Sequence, residues 1–266
     1  MNGMRGILSQ LWARLSGNAR AEGTIYRPEI DCIVDTASVT CSETLPSGDV
    51  LPAYQNRLTR IETFWKSAGE CREKEVLLAL LAGHVRGYPQ ESLRQMMTNF
   101  EHKTRDIPAD YRDPLLIAVH EEIFNTHHRL LTAAASGGTR PWRSVSLRTG
   151  HADYCRMVQR ATARKAEEKD PSLLSLHYAL ACYAMFVEDG PGHPVDTPFP
   201  GGLTVAQDGR ICYCPVRDHA DDVPFALCPF CPAIQTTGVH LIRDPHERER
   251  LQKQGYIDNY FTNFKG

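Results

Sequence analysis

No apolar run in this chain of 266 residues approaches the roughly twenty that a bilayer-spanning helix needs. The longest, residues 76–82, is cut off by Gly83 and His84, so no membrane is expected as a partner. Positive charge is not in excess either: 30 Lys and Arg stand against 32 Asp and Glu, a formal charge of -2, so nucleic acid is not an expected partner. The chain has no Gly-Lys-Ser phosphate loop, no dinucleotide-binding glycine fingerprint and no Gly-x-Ser-x-Gly elbow. Without them the expectation leans away from an enzyme, and no catalytic residue is assigned. An even disulfide framework is also missing, since the nine cysteines are four clustered and five scattered. That usage fits a reducing cytoplasm.

What the chain does have is sulfur concentrated in one place. Cys212 and Cys214 flank Tyr213, thirteen residues follow, and Cys228-Pro-Phe-Cys231 completes a group of four thiols. Two close pairs at this separation have the spacing of a four-thiolate zinc or iron–sulfur site, because thiolates are soft donors. Cys212 and Cys214 on one strand share a face with Cα atoms roughly 6.5 Å apart. A single zinc ion, with sulfur at about 2.3 Å, wants its thiolates closer than a cluster does. Extended Cys-x-Cys therefore leans toward iron–sulfur, while the Cys-Pro-Phe-Cys turn suits either. The competing chemistry is a dithiol redox pair at Cys228 and Cys231, which requires a helix N-terminus in a βαβ setting. The loop-like residues 218–224 before the pair argue against that, and the redox reading leaves Cys212 and Cys214 without a role.

Composition divides the chain. Residues 1–50 read as a loosely ordered lead-in, in which Arg5, Gln10 and Arg14 among apolar residues suit a short amphipathic helix better than a secretory signal. Residues 51–190 read as a helical domain. Its core stripes are Ile61, Phe64 and Trp65, then Val76, Leu77, Leu80 and Leu81, then Leu93, Met96, Met97 and Phe100. Leu115, Val119 and Ile123 follow on a helix expected to start after Asp113-Pro114. Residues 156–169 suit a charged surface helix, and Asp170-Pro171 opens the most apolar helix of the chain, carrying Leu173, Leu174, Leu176, Leu180 and Met185. Scattered cysteines such as Cys71 and Cys182 fit this core as small hydrophobes.

Beyond residue 190 prolines and glycines forbid further long helices. Residues 191–243 read as an irregular Pro/Gly/Cys-rich module with a hairpin, Leu203-Thr-Val-Ala-Gln and Arg210-Ile-Cys-Tyr-Cys flanking Asp208-Gly209. Within it a rigid loop holds His193, Asp196 and Thr197, the candidate cofactor-binding residues. Residues 244–266 read as a short helix and an aromatic tail with Tyr256, Ile257, Tyr260, Phe261 and Phe264, suited to docking. His120-Glu-Glu is not a zinc-protease helix, because Phe124 stands where the second histidine belongs; His127 and His128 read as surface charge.

The stretches His193-Pro-Val-Asp-Thr-Pro-Phe-Pro-Gly-Gly202, Tyr213-Cys-Pro-Val216, Ala226-Leu-Cys-Pro-Phe-Cys-Pro-Ala233 and the ending from Tyr256 to Gly266 resemble an archaeal family. It is domain-of-unknown-function family 2115, also called uncharacterised protein family 0305, found mainly in methanogens. The resemblance covers about the last quarter of the chain strongly and the helices from residue 50 more weakly. It implies a cytoplasmic protein of an anaerobic archaeon and brings no activity with it. Two positions depart from the family pattern: Asp196 stands where glycine is expected, and Cys212 where tyrosine is frequent. A site without Cys212 would use Cys214, Cys228 and Cys231 with His193, His219 or His240, and zinc would gain on iron–sulfur.

The expectation is a mainly α protein, a helical domain joined to a small irregular module with a hairpin and a metal site of Cys212, Cys214, Cys228 and Cys231. Its expected role is a metal- or iron–sulfur-binding accessory or assembly factor with an unidentified protein partner. The alternative is a cluster- or dithiol-dependent electron-transfer protein.

Overall fold

The computed structural model describes residues 51–136, 144–199, 203–219 and 223–236. The amphipathic helix expected in the lead-in, the C-terminal helix with its aromatic tail, and His240 lie outside the described residues. The described chain is mainly helical with short strands near its C-terminal end. Six α-helices are described: α1 (Leu51–Glu70), α2 (Lys74–Val85), α3 (Gln90–Thr104), α4 (Ala109–Ala135), α5 (His151–Ala166) and α6 (Ser172–Cys182). None of these is long and apolar enough to cross a membrane.

The apolar stripes become a common core. Ile61, Phe64 and Trp65 of α1 are buried as their spacing predicts, and Leu77, Leu78, Leu81 and Val85 form the inward face of α2. Val76, expected in that face, is instead 53% exposed, because the continuous apolar run leaves the register of the buried face undetermined. Trp65, fully buried, donates its Nε1–H to Ser175 Oγ on α6 at 2.9 Å, which satisfies the indole and ties the first helix to the sixth. Cys71, Cys155 and Cys182 sit in this core, with Cys155 Sγ 3.5 Å from His151 Nε2.

Two helices depart from expectation. Helix α4 begins at Ala109 and runs through Pro114. Pro108 precedes its first turn, accepting from the amides of Tyr111 and Arg112 at 3.1 and 2.8 Å, so Pro114 costs a backbone bond near the helix start, not in its middle. Helix α5, expected on the surface, buries Tyr154, Cys155, Val158, Ala161 and Thr162 in a stripe against α1. Of its charged residues, Asp153, Arg156, Arg160 and Arg164 are exposed. The apolar stripe starts at Tyr154, ahead of the charged run that suggested a surface helix.

Pro171 is the N-cap of helix α6, the Asp170 carboxylate just before it accepts the Ser172 amide at 2.8 Å, and the helix is buried as expected. It widens into a π-helical turn at Tyr183–Val187, where Glu188 N–H reaches Tyr183 O at 3.1 Å and Gly190 N–H reaches Ala184 O at 2.8 Å. This widening leaves the Met185 carbonyl to accept Arg148 Nε–H at 3.1 Å. Arg148 also donates to the Phe230 carbonyl and lies 4.3 Å from the centre of the Phe186 ring. One side chain thus joins the end of the helical body to the Cys-Pro-Phe-Cys turn.

The C-terminal strands are short: β1 (Pro198–Phe199), β2 (Leu203–Thr204), β3 (Ala206–Asp208), β4 (Ile211–Cys214) and β5 (Ile234–Gln235). The expected hairpin is present with two changes. Strand β3 pairs antiparallel with β4 across Asp208↔Ile211, so Gly209 and Arg210 form the turn. Gly209 alone has positive φ, +58°, as a type II′ turn requires at its first position. Leu203 and Thr204, expected to extend that hairpin, pair back onto β1, and Val205 between the two pairings is fully buried. Strand β5 joins β4 in parallel, with Tyr213↔Ile234 and Cys214↔Gln235.

Candidate functional site

Strand β4 delivers Cys214 to a buried position, and the 3₁₀ turn Cys228–Phe230 buries Cys228, after which Cys231 returns to extended backbone. Pro229 holds the turn, and the Cys231 amide closes it on the Cys228 carbonyl at 3.1 Å. The turn docks through Phe230, which meets Tyr154 edge-on at 5.4 Å, and through Phe225, whose carbonyl accepts Tyr178 Oη–H at 3.0 Å.

Three of the four predicted thiols, Cys214, Cys228 and Cys231, are buried. Burial pushes Cys214 up to about 11, with further lift from Cys231. It pushes Cys228 up to about 12, with further lift from Cys214 and Cys231. Cys212 is half-buried, and its pKa is raised by burial and then by Cys231. Backbone donors aim at the sulfurs: Gly192 N–H at 3.1 Å and Ala233 N–H at 3.5 Å on Cys231 Sγ, and the Val216 and Arg217 amides on Cys214. A Cβ on Gly192 would stand 3.3 Å from Met185 Sδ and 3.6 Å from Cys231 Sγ, so the bare backbone lets the donor approach this closely. Among the described residues no group of three or more His, Cys, Asp or Glu side chains could hold a metal ion as placed.

The segment that supplies Gly192 also forms one wall of a cavity of about 390 Å³ between α3, α4, α5 and α6. His193 and Thr197, two of the predicted cofactor-binding residues, line it. Thr197 Oγ1–H donates to Pro194 O at 2.7 Å, and the His193 ring stands edge-on to Phe199 at 5.5 Å. Asp196 does not line it. At φ +68° it turns outward into a second cleft shared with Glu121, Arg129 and Glu188.

His177 and Lys103 also line the cavity, and the sequence reading passed over both. The side chain of His177 is exposed, yet desolvation by the protein around it and then the Lys103 charge push its imidazole down to about 4. Burial, then His177, brings His193 to about 4 as well. Lys103, His177 and His193 thus line one cavity. The signal available was a histidine set three and four residues after Leu174 and Leu173 in the most apolar helix of the chain.

Residues 73–236 match a family described as "Uncharacterized protein conserved in archaea (DUF2115)". A UPF0305 protein of Methanothermobacter thermautotrophicus is 35% identical over 86 residues, 32% of this chain and 52% of the relative. A UPF0305 protein of Methanopyrus kandleri is 35% identical over 78 residues, 29% of this chain and 55% of the relative. The chain spans about half the length of these curated relatives. No solved structure matches it. The matched segment takes in α2 to α6, the cavity and all four clustered thiols, and by it the chain belongs to this archaeal family.

Proposed function

We propose that the protein carries a thiolate-held inorganic centre, an iron–sulfur cluster in the first reading and Zn²⁺ in the second. Cys214, Cys228 and Cys231 hold it, with Cys212 as the fourth thiolate. The observation that carries this reading is the set of backbone N–H groups, from three separate turns, aimed at Cys214 and Cys231. A cysteine that serves as a small hydrophobe needs no such donors, whereas a thiolate bound to a metal is stabilised and tuned by them. Arg148 and Arg217 lie within electrostatic reach of Cys231 and offset the negative charge of a thiolate shell. Cys212 and Cys214 spaced along one strand favour the wider ligand spread of a cluster.

Four thiolates close the shell and leave no open position for substrate, so the centre serves an accessory or assembly role in the cytoplasm of an anaerobic archaeon. A dithiol oxidoreductase is less well supported. Cys231 is extended, with ψ 133°, and no α-helix begins there to depress a thiol pKa; Cys228 is instead pushed up.

Anaerobic purification of the full chain, followed by elemental analysis and spectroscopy, tests the proposal. Bound iron and sulfide with absorbance at about 400 nm is the expected result, and a colourless protein with stoichiometric zinc selects the second reading. Cys228→Ser should release the metal and lower the melting temperature. A wild-type protein with neither metal, or a variant with unchanged metal content, overturns the proposal.

A further inference from the structure

We propose that the cavity between α3, α4, α5 and α6 is a binding site for an uncharged, lipid-like molecule that is mainly hydrocarbon. It is separate from the proposed metal centre, since none of Cys212, Cys214, Cys228 or Cys231 lines it, and it stands or falls without that centre. At about 390 Å³ it falls within the size range of small-molecule pockets and far exceeds the gaps left in a close-packed interior. Space of that size with apolar walls is poorly wetted, because a bound water needs polar partners, and it favours an apolar occupant.

Its walls come from elements far apart in the sequence. Helix α3 contributes Met96 and Phe100, α4 contributes Leu115 and Ile123, and α6 contributes Leu173 and Leu174. The hydroxyl groups of the lining are already committed to backbone carbonyls: Tyr111 Oη–H to Pro198 at 3.0 Å, Tyr178 Oη–H to Phe225 at 3.0 Å and Thr197 Oγ1–H to Pro194 at 2.7 Å. Each spends its one O–H donor there, so these hydroxyls have none left for an anionic head group.

Charge does not select a head group either. Among the lining residues Glu122, Glu168 and Asp170 equal Lys103, Arg164 and Lys165 in number. Glu122 is held by Thr126 at 2.6 Å and by Arg129, Asp170 by Arg57 and Ser172, and Lys103 also has its partner. Arg164 and Glu168 are exposed, where water solvates them. The His177 and His193 imidazoles, pushed down to about 4 chiefly by desolvation, are neutral at physiological pH and add no charge. A charged head group would therefore leave water without a surplus countercharge to meet it, a cost that an uncharged chain avoids.

Isothermal titration of the full chain at neutral pH with 1-octanol, octanoate and octylamine tests this. 1-Octanol should bind saturably, about tenfold or more tighter than either charged compound. From 1-butanol to 1-octanol each added methylene should tighten binding about fourfold. Leu174→Trp, which fills the cavity, should abolish 1-octanol binding with helical content retained, and Leu173→Phe is the milder filler should the tryptophan variant melt early. Absence of saturable 1-octanol binding, octanoate or octylamine binding as tightly as 1-octanol, or unchanged 1-octanol binding in the cavity-filling variants would overturn the proposal.

Discussion

The helical body and the thiol-bearing segments reach order by opposite means. In the body, helices of 11 to 27 residues bury large side chains such as Trp65, Tyr154 and Phe186, and each fully buried side chain of that size contributes about 1.5–3 kcal/mol. In the C-terminal segments the strands are 2 to 4 residues long, far too short to stand alone. Their order rests on single contacts with the body: Phe230 on Tyr154, Tyr178 Oη on the Phe225 carbonyl, Tyr111 Oη on the Pro198 carbonyl, and the Arg148 clamp. Core residues from both regions, Trp65 and Tyr154 with Cys214, Leu227 and Cys231, belong to one continuous cluster. The body can be understood as a hydrophobic structure in its own right, and the segments beyond it as polar and sulfur-rich turns that depend on the body for position.

The strongest way to break the contrast is to damage the body and watch the turns. Trp65→Ala removes a fully buried indole and its bond to Ser175, and should cost about 3–5 kcal/mol in denaturant unfolding. Loss of the Phe230 and Cys231 environments should accompany loss of helix in that variant; turns that survive unfolding of the helices would contradict their dependence.

Acid should weaken the body through a residue the turns do not touch. His84, stacked on Phe64 at 3.7 Å and bonded to Ser175 Oγ at 3.0 Å, is pushed from 6.5 down to about 4 by burial and then by Arg60. The unfolded chain therefore binds this proton first. The stability conferred by the neutral ring is complete above pH 6.5 and is lost as pH falls toward 4, by up to about 3 kcal/mol. His84→Gln should flatten that part of the stability profile in urea titrations run across this range, leaving the contributions of His177 and His193.

The smallest change acts at the seam. Gly192→Ala places a methyl 3.3 Å from Met185 Sδ and crowds the amide that serves Cys231. A flexible thioether can yield, so about 1 kcal/mol is expected, and helix content should stay constant while metal affinity falls. An equal loss of helix would show that the seam and the body are one unit.

Particular residues show where sequence reading worked. Asp170-Pro171 announced the start of α6 through cap chemistry, and Asp208-Gly209 announced a hairpin within one residue of its true turn. Both are local signals, decided by neighbouring dihedral angles. The reading faltered where local cues competed: an aspartate–proline start at residue 113 lost to the Pro108 start, and a charged run hid the stripe of Tyr154, Val158 and Ala161. Of the candidate site, the loop that carries His193 and Thr197 was legible from its prolines and glycines, and the spacing of Cys214, Cys228 and Cys231 marked thiols that the fold buries. His177 and Lys103 were not, because each sits on a helix whose pattern explains itself without them.

By itself the sequence determined the helical class, the family and the shift to turns near residue 190, all consequences of periodicity, composition and short-range spacing. Tertiary structure alone decided that Leu203 pairs backward to Phe199, that Arg148 bridges Met185 and Phe230, and that Lys103, His177 and His193 border one cavity. The physical reason is that an apolar stripe specifies which face of a helix turns inward but not the angle or height at which it meets its neighbour. Convergence of side chains from α3, α6 and a distant loop depends on those angles and heights.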